Sequence, residues 1–369
     1  VNRPSRVLII LAQTPPPYHG QAIMTQVLKE ALAGEFEVHH VRMDFSETSA
    51  ENKKLRFSKV WKLFPILFRT LFLLIRHRGA VLYYPPAPGH WVPVLRDMIL
   101  LSICRPFAGK TVFHFHARGM GDFLTEHRRL VRRPWMSPDY AIVLGSSVRR
   151  DAELLRAKCI IEIPYGVDVP SHEHAERSGS ARTRILFAGF HTESKGIFDL
   201  LETARLLRER GLEFEMQTAG EWVSKETRRR FETLRAEYGL VPYVFNAGLL
   251  QGDALQAAYA AADIFFFPTF YEHETFGVVL IEAMAYGLSV VASRWPGPVD
   301  VVRDEETGIL CPARDIRAYA DALQRLIESR ELRLKMGRSA NERYDLEYTR
   351  RRYEKSLKTV FHTICKRPA

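Results

Sequence analysis

Short continuous apolar runs, each followed by a turn-rich polar segment and then by apolar positions at helical spacing, recur along the chain. Residues 6–12, RVLIILA, read as a strand buried on both faces, because an aliphatic run of that length has no polar side to turn to water. The turn-rich PPPYHG at 15–20 follows, and then a helix over about 21–32. Further strands are predicted at 37–41, 80–84, 111–116, 140–144 and 160–163, with helical patterns between them. Residues 166–184 break this rhythm with Pro170, Ser171, Ser178, Gly179 and Ser180, which marks a linker. A second series then runs through strands at 184–190, 213–220 and 241–246, with helices at 196–210 and 225–238. Helices at 316–329, 331–344 and 347–365 close the chain. Strand and helix in alternation mean α/β, with doubly wound parallel sheets covered on both faces. The expected organisation is a first domain over 1–165, a linker at 166–183 and a second domain over 184–346.

The stretch richest in chemistry lies in the second series. Ile264-Phe-Phe-Phe-Pro268 reads as a buried strand, 269–275 as a polar loop, and Phe276 onward as a helix that carries Glu282 in its second turn. A helix start at the carboxyl end of a strand presents backbone N–H groups and a positive dipole end, which suits an anion such as a diphosphate. Glu274 and Glu282 would stand roughly 12 Å apart along a helical rise. The plain alternative is an exposed helix face with an ordinary glutamate.

The surrounding order decides between them: ADIFFFP at 262–268, ETFG at 274–277, EAMAYG at 282–287, Val290-Val291 and TGIL at 307–310. This run resembles the donor-binding region of the retaining glycosyltransferases of family 4, which have the GT-B fold of two Rossmann-like domains facing an interdomain cleft. The likeness is dense over about 245–315 and looser in the first domain. It implies that Glu274 contacts the transferred sugar, that Phe276 and Gly277 offer backbone groups to sugar and diphosphate, and that Glu282 binds ribose hydroxyls. Gly248 and Leu249, in NAGLL at 246–250, match the segment whose backbone reads the base. In AGFHTESKG at 188–196, Gly189 and Lys195 match the diphosphate clamp, but Phe190 stands where the family has arginine, so His191 or another basic side chain compensates or donor binding is weakened. Gly20 matches a contact near the donor phosphate or acceptor, where His19 replaces one of the family's paired glycines. His116 matches the histidine that hydrogen-bonds the donor sugar, with His114 as core. The catalytic set implied is His116, Lys195 and Glu274. The last helix, about 347–369, is expected to cross back onto the first domain.

Charge and composition sharpen the partners. A formal net charge of +10 and a pI near 9.5 favour anionic ligands or an anionic surface. The basic residues are scattered and no base-stacking module is recognisable, so no specific nucleic acid is expected. Cys104, Cys159, Cys311 and Cys365 form no C-x-x-C pair, which fits a reducing cytoplasm. His114 and His116 lack a third ligand nearby and no D-x-D occurs, so no cofactor and no metal are expected, with a nucleotide-diphosphate-sugar as donor substrate. Residues 53–78 mix basic side chains with Trp61, Phe64, Phe68 and Phe72, the composition of a helix resting on an anionic bilayer. The alternative is a helix packed on the sheet with a basic outer edge, kinked or split at Pro65. No run is long enough to span a bilayer, which places the chain in the cytoplasm or peripherally on the inner membrane face. The reading is a retaining, metal-independent glycosyltransferase acting on a glycan or lipid-linked acceptor in cell-envelope glycolipid or polysaccharide synthesis. The competing readings are a GT-B epimerase or phosphorylase, and a non-catalytic protein binding anions or nucleic acid.

Overall fold

The computed structural model describes residues 7–16, 20–43, 57–127, 136–169 and 182–366. Two compact units divide the chain: one comprises Val1–Tyr165 with Arg350–Ala369, the other Gly166–Thr349. Residues 170–181 of the expected linker, and His19 in the first turn, lie outside the described residues.

The first unit holds six parallel strands: β1 Val7–Ala12, β2 Glu37–Arg42, β3 Val81–Tyr84, β4 Lys110–His114, β5 Tyr140–Val143 and β6 Cys159–Glu162. Their order is β2-β1-β3-β4-β5-β6, so the winding reverses between β1 and β3. Apolar runs such as VLIILA are buried on both faces, as continuous hydrophobicity requires. Helix Arg350–Lys366 packs here through Phe361 on Phe36, with Arg350 bonded to Glu30 at 2.9 Å and the Lys110 ammonium donating to the Ile364 carbonyl.

Helix Phe57–Arg76 runs through Pro65 without a break, so the split expected as one outcome there does not occur. Its buried stripe, Ile66, Thr70 and Leu74 at four-residue spacing, holds it to the sheet despite the missing amide. The opposite side exposes Trp61, Phe64, Phe68, Phe72 and Ile75, Trp61 by 73%, with Lys62, Arg69 and Arg76 exposed as well. Beside it lies helix Trp91–Cys104, which also exposes Trp91, Leu95, Ile99 and Ile103.

The second unit holds β7 Thr183–Ala188, β8 Phe214–Ala219, β9 Val244–Gly248, β10 Ile264–Phe267, β11 Ser289–Ser293 and β12 Gly308–Cys311, ordered β12-β11-β10-β7-β8-β9 and all parallel. The winding reverses between β7 and β10, where such sheets leave the ends of two adjacent strands free of a crossing helix. Every residue of β10 is buried, and each enclosed Phe contributes roughly 1.5–3 kcal/mol. Helix Asp253–Ala261, between β9 and β10, was not predicted. The last helix begins at Arg350 rather than 347, after a π-helical turn over Tyr344–Tyr348.

Candidate active site

The carboxyl ends of β7, β9 and β10 lead into the second unit's candidate site residues. After β7 the chain passes Gly189 and makes a short 3-10 turn over Glu193–Lys195, capped by the Thr192 hydroxyl accepting from the Lys195 amide at 3.2 Å. Helix Ile197–Glu209 starts directly behind, with Gly196 at its N-cap. After β10 the loop is tied to this turn by the Phe270 amide on the Ser194 carbonyl at 2.8 Å. The loop then leads into helix Val278–Ala285, with Gly277 at its N-cap. Neither helix start is capped by a side chain, so two positive dipole ends flank the strand pair where the winding reverses.

Between them the Lys195 ammonium pairs with Glu274 Oε2, both side chains mostly enclosed, and the Thr269 hydroxyl reaches the same oxygen at 3.4 Å. Lys195 Nζ also stands 5.0 Å from the Tyr271 ring centroid and 5.4 Å from that of Phe267. Trp295 Nε1 donates to the Tyr271 carbonyl at 2.8 Å and holds the loop down. Gly297, at φ 94°, lets the neighbouring turn close on Glu274, since a Cβ there would meet the Glu274 Cγ at 3.1 Å.

Glu282 is the fifth residue of a helix that begins at Val278, two residues later than predicted, so only about 6 Å of helical rise precedes it. Burial pushes its carboxyl up to about 7, and the Tyr259 hydroxyl donates to Oε2 at 2.8 Å in partial compensation. Tyr259, on the unpredicted helix, stacks on Tyr286 at 5.5 Å. Phe276 is buried against Tyr348. Gly248 ends β9 at φ 68°, with nothing near the position a Cβ would take, and Leu249 is exposed beside it.

Phe190 is exposed, whereas His191 is fully buried against Trp222, with its imidazole pushed down to about 4 by burial. A neutral, enclosed ring supplies no cation, so His191 does not replace the missing arginine. Lys195 is the cation that this turn brings to Glu274.

In the first unit, His116 lies two residues beyond β4 rather than within it. Its Nε2 is 3.1 Å from the Tyr83 hydroxyl and its Nδ1 bonds the Tyr165 hydroxyl, so both ring nitrogens are engaged by phenols. His114 lies tilted against it, with ring centroids 4.0 Å apart, and is pushed down to about 3 by burial, as a core histidine should be. Gly20 opens helix Gly20–Leu32 and is exposed, with no atom near where a Cβ would stand. Sequence reasoning missed Tyr259, Thr269, Tyr271 and Trp295. The P-G-P turn around Gly297 was the one visible signal among these neighbours.

Two parallel sheets, each flanked by helices, are those of a GT-B fold of two Rossmann-like domains, and the chain is related to the group 1 glycosyltransferases. Residues 170–343 match the model of that family, glycosyl transferases group 1. The chain is 33% identical to the phosphatidyl-myo-inositol mannosyltransferase of Mycobacterium leprae over 247 residues, 64% of each protein. It is 40% identical to the sulfoquinovosyl transferase of Arabidopsis thaliana over 114 residues, 30% of this chain and 22% of that protein. It thus spans less than two thirds of the length of these curated relatives. Among solved structures, sucrose-phosphate synthase from Thermosynechococcus elongatus superposes with a TM-score of 0.77 at 22% identity, over 96% of this chain and 98% of that one. HepE from Anabaena, solved with UDP and glucose, gives 0.67 at 14% identity over 96% and 99%. These two likenesses speak to the fold.

Proposed function

We propose that the chain is a retaining, metal-independent glycosyltransferase that moves a sugar from a nucleotide-diphosphate-sugar to a hydroxyl of a lipid-linked acceptor. The observation that carries this is the Lys195–Glu274 pair set between two uncapped helix starts at the winding reversal. With a donor present, the diphosphate takes over Lys195 and meets the two helix starts, while Glu274 turns to the sugar hydroxyls. The bond from the anomeric carbon to the diphosphate oxygen breaks, the acceptor oxygen bonds the same face, and the acceptor proton passes to the departing diphosphate. Lys195 and the two dipole ends stabilise the charge that develops there. No protein base is needed, which agrees with both nitrogens of His116 being engaged by Tyr83 and Tyr165. A bond from His116 to the sugar would replace one of those phenols. Domain roles follow: the second unit takes the donor, with Glu282 on the ribose, Gly189 on the diphosphate and the backbone of Gly248 and Leu249 at the base, and the first takes the acceptor near Gly20.

Calorimetric titration with UDP-, GDP- and ADP-sugars tests the donor site. Ribose hydroxyls donating to Glu282 favour its ionised form, so binding should release about half a proton near pH 7, and affinity should rise as pH rises through 7. Glu282→Gln should abolish that release and weaken binding about tenfold or more. Binding of one donor without proton uptake or release, unchanged in the variant, would remove Glu282 from the site. Conversion of a donor without any acceptor would indicate an epimerase instead.

The lipid acceptor is supported by the paired apolar faces of helices Phe57–Arg76 and Trp91–Cys104, with Lys62, Arg69 and Arg76 exposed on the first. The names of the two curated relatives, a phosphatidyl-myo-inositol mannosyltransferase and a sulfoquinovosyl transferase, agree with a lipid substrate for the first of them. The chain should cosediment with phosphatidylglycerol vesicles and less with neutral ones, and Phe68→Ser with Phe72→Ser should lower partitioning about tenfold or more. Equal recovery with anionic and neutral vesicles, insensitive to the double substitution, would argue for a soluble acceptor.

A further inference from the structure

A cluster apart from the donor-binding residues has the composition of a metal site. Glu37 and His39 alternate onto one face of β2, an edge strand of the first sheet as described, at the end where its strands begin. His77 arrives from a different element, the turn that follows helix Phe57–Arg76, where its amide bonds the Leu73 carbonyl and its carbonyl accepts from Ala80. His39 Nε2 is 2.8 Å from Glu37 Oε1, His77 Nδ1 is 3.8 Å from that same oxygen, and the imidazole centroids are 4.6 Å apart. All three candidate ligand atoms fall within 4.8 Å of one another.

Those spacings bracket what a tetrahedral ion needs, since bonds of roughly 2.0–2.1 Å put ligand atoms about 3.3 Å apart. Glu37 is half-exposed and has room to adjust, while the two imidazoles are more enclosed and held by strand and turn. A simple ion pair accounts for Glu37 with one histidine. The second imidazole, brought to the same oxygen from a separate element, gives the cluster three candidate ligand atoms from two parts of the fold.

We propose that Glu37, His39 and His77 bind a divalent first-row transition ion, with water completing the shell, and that the ion clasps β2 to the end of helix Phe57–Arg76. Two imidazoles and one carboxylate suit zinc, copper, nickel or cobalt and disfavour magnesium and calcium. The role is structural: the ion would steady the helix that bears the exposed aromatic face, and the donor residues of the second unit do not use it.

Zinc alone is the first probe, titrated into the EDTA-treated, tag-free 369-residue chain by calorimetry, with cobalt giving a visible spectrum of the ligand set. The expected result is one equivalent bound, a zinc-dependent rise in melting temperature, and affinity lowered about tenfold or more in both His39→Ala and His77→Ala. Both variants should keep the wild-type circular dichroism and nucleotide-sugar binding, which separates loss of the ion from loss of the fold. No saturable one-to-one binding, or binding that survives both substitutions, overturns the proposal. Magnesium binding with the zinc affinity would overturn the ligand-set argument as well.

Discussion

Replacing Lys195 with alanine is expected to lower kcat by about 10²–10³-fold and to weaken donor binding, because it removes a cation aimed at the leaving diphosphate. The enclosed Glu274 carboxylate would be left with the Thr269 hydroxyl at 3.4 Å as its neighbour, so a second anion could enter only against its charge. Glu274→Ala should behave differently. It frees Lys195 from its partner, so the nucleotide diphosphate should bind as tightly as in the wild type or more so, while kcat falls because the sugar loses its anchor. The split matters more than either loss. Steady-state kinetics with the donor identified by calorimetry gives kcat and KM for each variant. If Lys195→Ala kept its kcat/KM, the charge argument would fail. If Glu274→Ala lost donor affinity as strongly as turnover, the pair would be a structural clamp between the β7 and β10 loops. Phe190 sharpens the test, since with no arginine beside Gly189 and His191 buried, Lys195 carries the positive charge of this turn.

Much of this arrangement is legible in the amino-acid sequence. The strands are readable because both sheets are covered on both faces, so IFFF and VLIILA are apolar throughout and leave no ambiguity of face. Glu274, Lys195 and Glu282 are singled out through the resemblance to family-4 glycosyltransferases that the motifs over 188–310 carry, and Lys195 and Glu274 stand together in the fold. Tertiary contacts hide the rest. The helix Asp253–Ala261 is mostly alanine, which has no polar side to betray a period, and so Tyr259 beneath Glu282 escapes a reading by pattern. His191 sits in a polar stretch that reads as exposed loop, yet the parallel bridge from His191 to Trp222 pulls it inside. Pro65 misleads in the opposite direction, since local chemistry argues for a break and packing at Ile66, Thr70 and Leu74 keeps the helix whole.

Gly196→Ala should be strongly destabilising to the second unit. Gly196 has φ 80°, a region that costs an alanine about 1 kcal/mol. Its Cβ would also stand 2.2 Å from the Pro268 carbonyl oxygen, a backbone atom at the end of β10 that no rotamer change can move. The β7 and β10 loops must then separate, and the bond from the Phe270 amide to the Ser194 carbonyl opens with them. A total cost of roughly 2–4 kcal/mol follows, or a melting temperature lower by about 5–15 °C in the transition of this unit. Gly211→Ala supplies the control. Gly211 has φ 75° but nothing within 4 Å of its Cβ position, so it carries the backbone strain without the collision. Calorimetric melting of both variants should show Gly196→Ala losing at least about twice the stability of Gly211→Ala. Equal losses would mean that the loops yield freely, and the preset spacing between Lys195 and Glu274 would then owe nothing to the contact of Gly196 with Pro268.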